Sequence, residues 1–210
     1  MILRSVEQVA ALVDAPGRSL IGIAGSPGAG KSTVAEQLVA RLPSAALLPM
    51  DGFHLPQSEL RRLGRRERMG APDTFDVAGF VAALESVRSA IGPVAIPGFD
   101  RDAEEPVPGA ITIEPSVRVV VVEGNYLLLE SGGWEAVAPL LDATFFVVVD
   151  HDIRIDRLVA RHERFGKSSA DARAWALGPD ESNARIIEPT SARADHLIDL
   201  KVDSAPSTDR

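Results

Sequence analysis

The residues with the most legible chemistry are Gly25, Ser26, Pro27, Gly28, Ala29, Gly30, Lys31 and Ser32. They fit the pattern G-x-x-x-x-G-K-[ST] (Walker A) at every fixed position, after an apolar run and before an amphipathic stretch. Glycines so placed let the chain curl until successive N–H groups point inward, and a helix starting near Lys31 adds the positive end of its dipole. Such a loop cradles polyphosphate oxygens. Lys31 is expected to reach the β- and γ-phosphates and Ser32 to offer its hydroxyl to Mg²⁺. Thr33 is a further hydroxyl near the phosphates or simply a helix-start residue. ATP with Mg²⁺ is the expected cofactor pair.

Two carboxylates extend this set. Asp51 follows an apolar run in Met50-Asp51-Gly52-Phe53-His54, which places it at the carboxyl end of a strand, where open α/β sheets bind ligands. It is expected to accept the proton of a substrate hydroxyl. Glu123 ends the run Val119-Val120-Val121-Val122 and precedes Gly124, as a magnesium-associated carboxylate would; the plain alternative is a glutamate exposed at a strand end. Phosphoryl transfer needs mainly positioning and charge neutralisation, so Asp51, Mg²⁺, Lys31 and an arginine form a sufficient set. The lack of Asn-Lys-x-Asp argues against a GTPase, because the nearest substitute, Val149-Asp150-His151-Asp152, lacks both Asn and Lys. Basic residues cluster twice, at Arg61, Arg62, Arg65, Arg66 and Arg68, and at Arg154, Arg157, Arg161, Arg164 and Lys167. Each cluster is either a phosphate contact or a solvated face.

The elements that must position these groups follow from periodicity. Short β-branched runs alternate with amphipathic stretches, the pattern of an α/β fold in which helices cover both faces of a mainly parallel sheet. Strands are expected at 19–24, 45–50, 94–97, 117–122, 144–149 and 196–200, and helices at 31–41, 77–90, 152–163 and 170–187, the last broken at Pro179. Residues 99–108, acidic and Pro-containing, read as a loop, and 203–210 as a frayed tail. A single domain over 1–202 is expected, since 210 residues with 45% hydrophobic content show no linker.

Composition narrows the function further. With no cysteine there is no disulfide or thiolate chemistry, which fits a reducing, cytoplasmic setting. A formal charge of -8 argues against a nucleic-acid partner. Nothing in the chain reads as a signal peptide or membrane anchor.

Taken together, the phosphate loop, Met50–His54, Arg68-Met69-Gly70-Ala71-Pro72-Asp73-Thr74-Phe75-Asp76, Ile96-Pro97-Gly98-Phe99-Asp100-Arg101 and Val122-Glu123-Gly124-Asn125-Tyr126 resemble the phosphoribulokinase, uridine kinase and type I pantothenate kinase family of P-loop kinases. The nearest likeness is to its bacterial branch labelled nucleoside/nucleotide kinase or fructose-transport kinase, labels that name no secure substrate. The resemblance spans residues 19–200 and implies the P-loop NTPase three-layer sandwich. It implies ATP-dependent phosphorylation of a hydroxyl on a small molecule, with the catalytic carboxylate on Asp51. It also implies an acceptor pocket drawing on Phe53, His54, Asp100, Arg101 and Tyr126, with Asn183 nearby. The plain alternatives are core packing for Phe53 and Tyr126 and a surface ion pair for Asp100 with Arg101. By the same likeness, residues 161–172 form a lid carrying Arg161 and Arg164, and a homodimer is expected. The rival reading is a nucleotide-binding regulatory protein without acceptor chemistry.

Overall fold

The computed structural model describes residues 1–13 and 17–200, so the expected tail at 203–210 lies outside the described residues. The chain runs β1 (Ile2–Leu3), α1 (Val6–Val13), β2 (Ser19–Gly25), α2 (Lys31–Arg41), β3 (Ala45–Pro49), α3 (Gln57–Arg62) and α4 (Val77–Ser89). It continues through β4 (Val94–Asp100), β5 (Glu105–Ile113), β6 (Val119–Gly124), β7 (Ala143–Val147), α5 (His151–Arg164), α6 (Ser169–Trp175), α7 (Glu181–Ile187) and β8 (His196–Ile198).

Six strands form one parallel sheet in the order β1-β8-β7-β2-β6-β3. Its centre is apolar on both faces. Along β2, Leu20 and Ala24 join the core built with Phe80, Leu84 and Val87 of α4, whereas Ile21 and Ile23 join the core built with α1 and α2. Val120 and Val122 of β6 likewise face one core while Val119 and Val121 face the other. A strand buried on both sides reads as a continuous valine run for this reason. The result is an α/β three-layer sandwich.

Helix starts obey local chemistry. The Asp76 carboxylate accepts from the Gly79 N–H to cap α4, Asp150 caps α5, and Ser168 caps α6. The expected helix at 170–187 is interrupted as Pro179 requires, but by a π turn (Ala176–Asp180) rather than a clean break.

Two expectations are corrected. Val94–Pro97 does not enter the parallel sheet, and of 99–108 only 101–104 is a turn. Instead β4 and β5 pair as an antiparallel hairpin with a register shift between Ile96 and Gly98. Prolines 106 and 108 argued against strand structure, yet a two-stranded ribbon leaves one edge of each strand unpaired, and proline is accepted there. The N-terminal stretch, apolar at helical spacing, contributes β1 as well as α1, because Met1 and Leu3 carbonyls accept from the N–H groups of Leu197 and Asp199 at 2.9 Å.

Arg18 ties this frame together just before β2. Its guanidinium donates to the carbonyls of Val117 (3.0 Å), Val87 (2.8 Å), Ala90 (3.4 Å), Glu114 (3.0 Å) and Pro115 (2.8 Å), joining the C-terminus of α4 to the β5–β6 connection. Lysine has three donors and no planar fork, so Arg18→Lys leaves carbonyls unpaired. The substitution is expected to cost about 1–3 kcal/mol in urea unfolding with an unchanged slope.

Candidate active site

The strand register assembles the site. Glu123 pairs in register with Ile23 on one side and Pro49 on the other, so its carboxylate, Asp51 beyond β3 and the loop beyond β2 share the carboxyl edge of the sheet. Lys31, in the first turn of α2, donates from Nζ to the Ser26 carbonyl at 3.1 Å and lies 3.9 Å from Glu123 Oε1. Both side chains are buried. Glu123 is therefore not an exposed strand-end residue, and Gly124 next to it is required sterically: a Cβ there would sit 2.7 Å from the Met50 Cβ.

The loop from Gly25 to Ser32 has the form of an anion cradle. Gly28 (φ +79°) and Gly30 (φ +96°) adopt left-handed backbone, and a Cβ on Gly28 would meet the Arg154 carbonyl oxygen and Leu158 at 2.8 Å. Ser26 Oγ is buried without a partner among the described residues, and the buried Lys31 ammonium is held beside it by the Ser26 carbonyl and Glu123. An unpaired hydroxyl and an enclosed ammonium beside curled backbone fit a polyphosphate. Ala29 faces the core, Pro27 and Ser32 line the cleft, and Thr33 is exposed away from it. The described residues hold no group of three or more His, Asp or Glu side chains suited to a metal. A Mg²⁺ held mainly by phosphate oxygens needs only one or two protein donors, and Ser32 and Glu123 are available for that.

Electrostatics distinguish the two carboxylates. Burial pushes Glu123 up to about 7, with Lys31 pulling it down and Asp51 adding to the rise. Burial also pushes Asp51 up, but the electrostatic pull of His54, Arg101, Lys31 and Arg161 outweighs it and holds its carboxyl below the ordinary value. Arg101 Nη2 donates to Asp51 Oδ2 at 2.9 Å. Burial lowers the Lys31 and His54 values as well, against the opposing pull of Glu123 on Lys31 and of Asp51 on His54. His54 Nδ1 donates to the Asp51 carbonyl at 2.8 Å, and its ring stacks between Phe75 (4.0 Å) and Phe99 (4.7 Å). A low carboxylate value suits orientation of a hydroxyl more than strong proton abstraction, and a loose phosphoryl transition state asks for the former.

One cleft brings together Lys31, Ser32, Asp51, His54, Arg101, Glu123, Arg161 and Asn183. Other expected residues lie elsewhere. Phe53 is core, packed edge-on to Phe80 at 5.1 Å. Tyr126 is fully buried and donates to the Gly70 carbonyl at 2.6 Å, burial holding its hydroxyl protonated. Asp100 caps the hairpin tip by accepting from the N–H groups of Asp102 and Ala103. Arg164 is exposed and does not line the cleft.

The basic clusters also resolve. Arg62 pairs with Glu59, Arg65 and Arg68 with Asp73, and Arg66 with Glu104, and of these only Arg66 reaches the cleft. Of the second cluster, Arg161 and Lys167 line it. Sequence reasoning singled out Arg66 only as one of a basic cluster and assigned no site role to Glu104, Trp175 or Asp180, which complete the walls. Their signal was weak, since each carries a common surface or core side chain outside the motif positions.

Comparison with known proteins agrees with this geometry. Residues 20–205 match the Phosphoribulokinase / Uridine kinase family, and the chain belongs to that family of P-loop kinases. It is similar to the uncharacterized protein YggC of Escherichia coli (32% identity, 87% of this chain and 78% of that one). It is also similar to a pantothenate kinase of Clavibacter michiganensis (36% identity), covering 83% of this chain but only 64% of that enzyme. Among solved structures, one from Silicibacter sp. TM1040 described as a "putative fructose transport system kinase" superposes with a TM-score of 0.84 at 35% identity, covering 93% and 99% of the two chains. No helix among the described residues is long and apolar enough to cross a membrane.

Gly52 tests how tightly the site is built. A Cβ there would lie 2.2 Å from the Pro97 carbonyl oxygen, a backbone atom that cannot rotate away. Gly52→Ala is expected to lose about 1–3 kcal/mol of stability, read as a Tm fall of about 2–4 °C for each kcal/mol.

Proposed function

We propose that this protein is an ATP- and Mg²⁺-dependent kinase that transfers the γ-phosphoryl group to a hydroxyl of a small metabolite. The observation that carries the reading is the convergence of Lys31, Ser32, Asp51, Glu123 and Arg161 on one cleft at the carboxyl edge of a parallel sheet. Mg²⁺ bound to the nucleotide would neutralise phosphate charge, with Ser32 and Glu123 as its protein ligands. The loop from Gly25 to Ser32 binds the phosphates through its N–H groups, and Lys31 adds fixed positive charge at the β- and γ-positions. Asp51, its carboxylate held by Arg101, orients the acceptor hydroxyl for in-line attack and receives its proton. Arg161 balances charge on the transferring group from the end of α5, and the segment 161–172 forms the lid that excludes water.

The acceptor occupies the side of the cleft lined by His54, Arg66, Arg101, Glu104 and Asn183. This lining, with both charges and amide groups beside the ring of Phe99, suits a polar, hydroxyl-bearing molecule of the nucleoside, pantothenate-like or sugar class.

Asp51→Asn is expected to lower turnover about 10²- to 10⁴-fold while affinity for MgADP persists, whereas Lys31→Ala weakens nucleotide binding as well. The acceptor for that assay comes from thermal-shift screening of nucleosides, pantothenate, sugars and sugar acids with a nonhydrolysable ATP analogue present. A true acceptor at a hundred times its Kd stabilises by about 2.7 kcal/mol. Unchanged turnover in Asp51→Asn removes Asp51 from the mechanism. ATP consumption stimulated only by a macromolecule favours a regulatory protein instead.

A further inference from the structure

A buried polar pair at the end of α5 has no part in the chemistry above. His162 Nε2 lies 2.7 Å from Asp180 Oδ2, with side-chain exposures of 13% and 11%. A carboxylate only accepts, so Nε2 carries the hydrogen. Both residues line the cleft, and the charge of Asp180 is felt at Lys31 across it.

The local sequence explains how Asp180 comes to point there. Pro179 has no N–H to donate, so the ordinary helical ladder cannot pass through it, and Ala176–Asp180 widens into a π turn. At its end, adjacent carboxylates reach different turns of α5. Glu181 pairs with Arg154 in the first turn, and Asp180 with His162 in the last. Arg154 is fully buried, so the first pair fixes where α5 starts against α7. The second fixes how its last turn is rotated.

Burying a polar pair costs solvation, and an apolar pair of similar volume would stabilise the same packing as well or better. What the polar pair adds is a direction. His162 is the immediate neighbour of Arg161, so its azimuth sets that of Arg161, the exposed cation facing Lys31, Asp51 and Glu123. Downstream, the Lys167 N–H donates to the His162 carbonyl, and Lys167 Nζ lies 4.5 Å from the Trp175 ring centre. The turn after α5 is thereby anchored to the same point.

We infer that Asp180 is a positioning residue which, through His162, holds the last turn of α5 so that Arg161 faces the terminal phosphoryl group. The inference rests on the kinase reading above but needs no knowledge of the acceptor.

The test compares affinities of the full chain, by calorimetry, for MgADP and for the Mg²⁺ complex of adenylyl imidodiphosphate. Their ratio isolates recognition of the γ-phosphate. Asp180→Ala and His162→Ala are each expected to lower that ratio about 10- to 100-fold, as Arg161→Ala does, with MgADP affinity kept within about twofold. Combining either with Arg161→Ala should change the ratio no further, since both act through one group. Asp180→Asn keeps an oxygen for the His162 N–H and should restore most of it. A wild-type ratio in His162→Ala, or full additivity with Arg161→Ala, overturns the proposal. His162→Ala decides alone if Asp180→Ala does not fold, because alanine is well tolerated in a helix. If the unaltered protein binds neither nucleotide, the kinase reading falls and this inference with it.

Discussion

An ammonium group that is 7% exposed must be opposed by negative charge or lone pairs, and Lys31 is such a group. Its nearest partners are the Ser26 carbonyl and the Glu123 carboxylate, with the charges of Asp51 and Asp180 farther out. These four come from the phosphate loop, the end of β6, the turn after β3 and the π turn before α7. Enclosing one cation therefore demands that four separate segments end near the same point. The parallel register meets that demand by aligning the carboxyl ends of β2, β3 and β6. Glu123, itself pushed to about 7, is the complement of the same burial.

The opposite wall of the cleft is built on different physics. Its segment around Gly70 is held by hydrogen bonds to backbone carbonyls, from Tyr126 and Asn183 to Gly70 and from Trp134 to Pro72. The β4–β5 hairpin approaches so closely that Gly52 has no room for a side chain. Its tip carries Arg101 onto Asp51 and Glu104 onto Arg66. The wall at the phosphate loop thus depends on strand ends and one helix start, the facing wall on packed loops and paired charges. A wall of this kind can change its side chains while a loop set by its own backbone conformation stays the same.

Much of the donor half was legible in the chain. The loop from Gly25 to Ser32 has a fixed spacing because its backbone conformation is local, and the strands at its flanks declare themselves by continuous β-branched runs. Helices α2, α4 and α5 were visible from periodicity and from the Asp76 cap. The hairpin was not, since its prolines and acidic residues imitate a loop. Phe53 and Tyr126 were also ambiguous, because an aromatic residue beside a motif suits a pocket and a core equally well until burial is known.

What the sequence alone determined about this protein is the phosphate cradle, the α/β layering and the presence of Asp51 and Glu123 at strand ends. Each depends on neighbours a few residues away or on a repeating period. Tertiary structure alone decided which polar side chains meet: Arg101 with Asp51, Arg66 with Glu104, and His162 with Asp180, separated by 50, 38 and 18 positions. A charged side chain has many possible partners along a chain that holds 52 acidic and basic residues (30 and 22). Only the packing of the hairpin, the π turn and α5 around the sheet chooses among them.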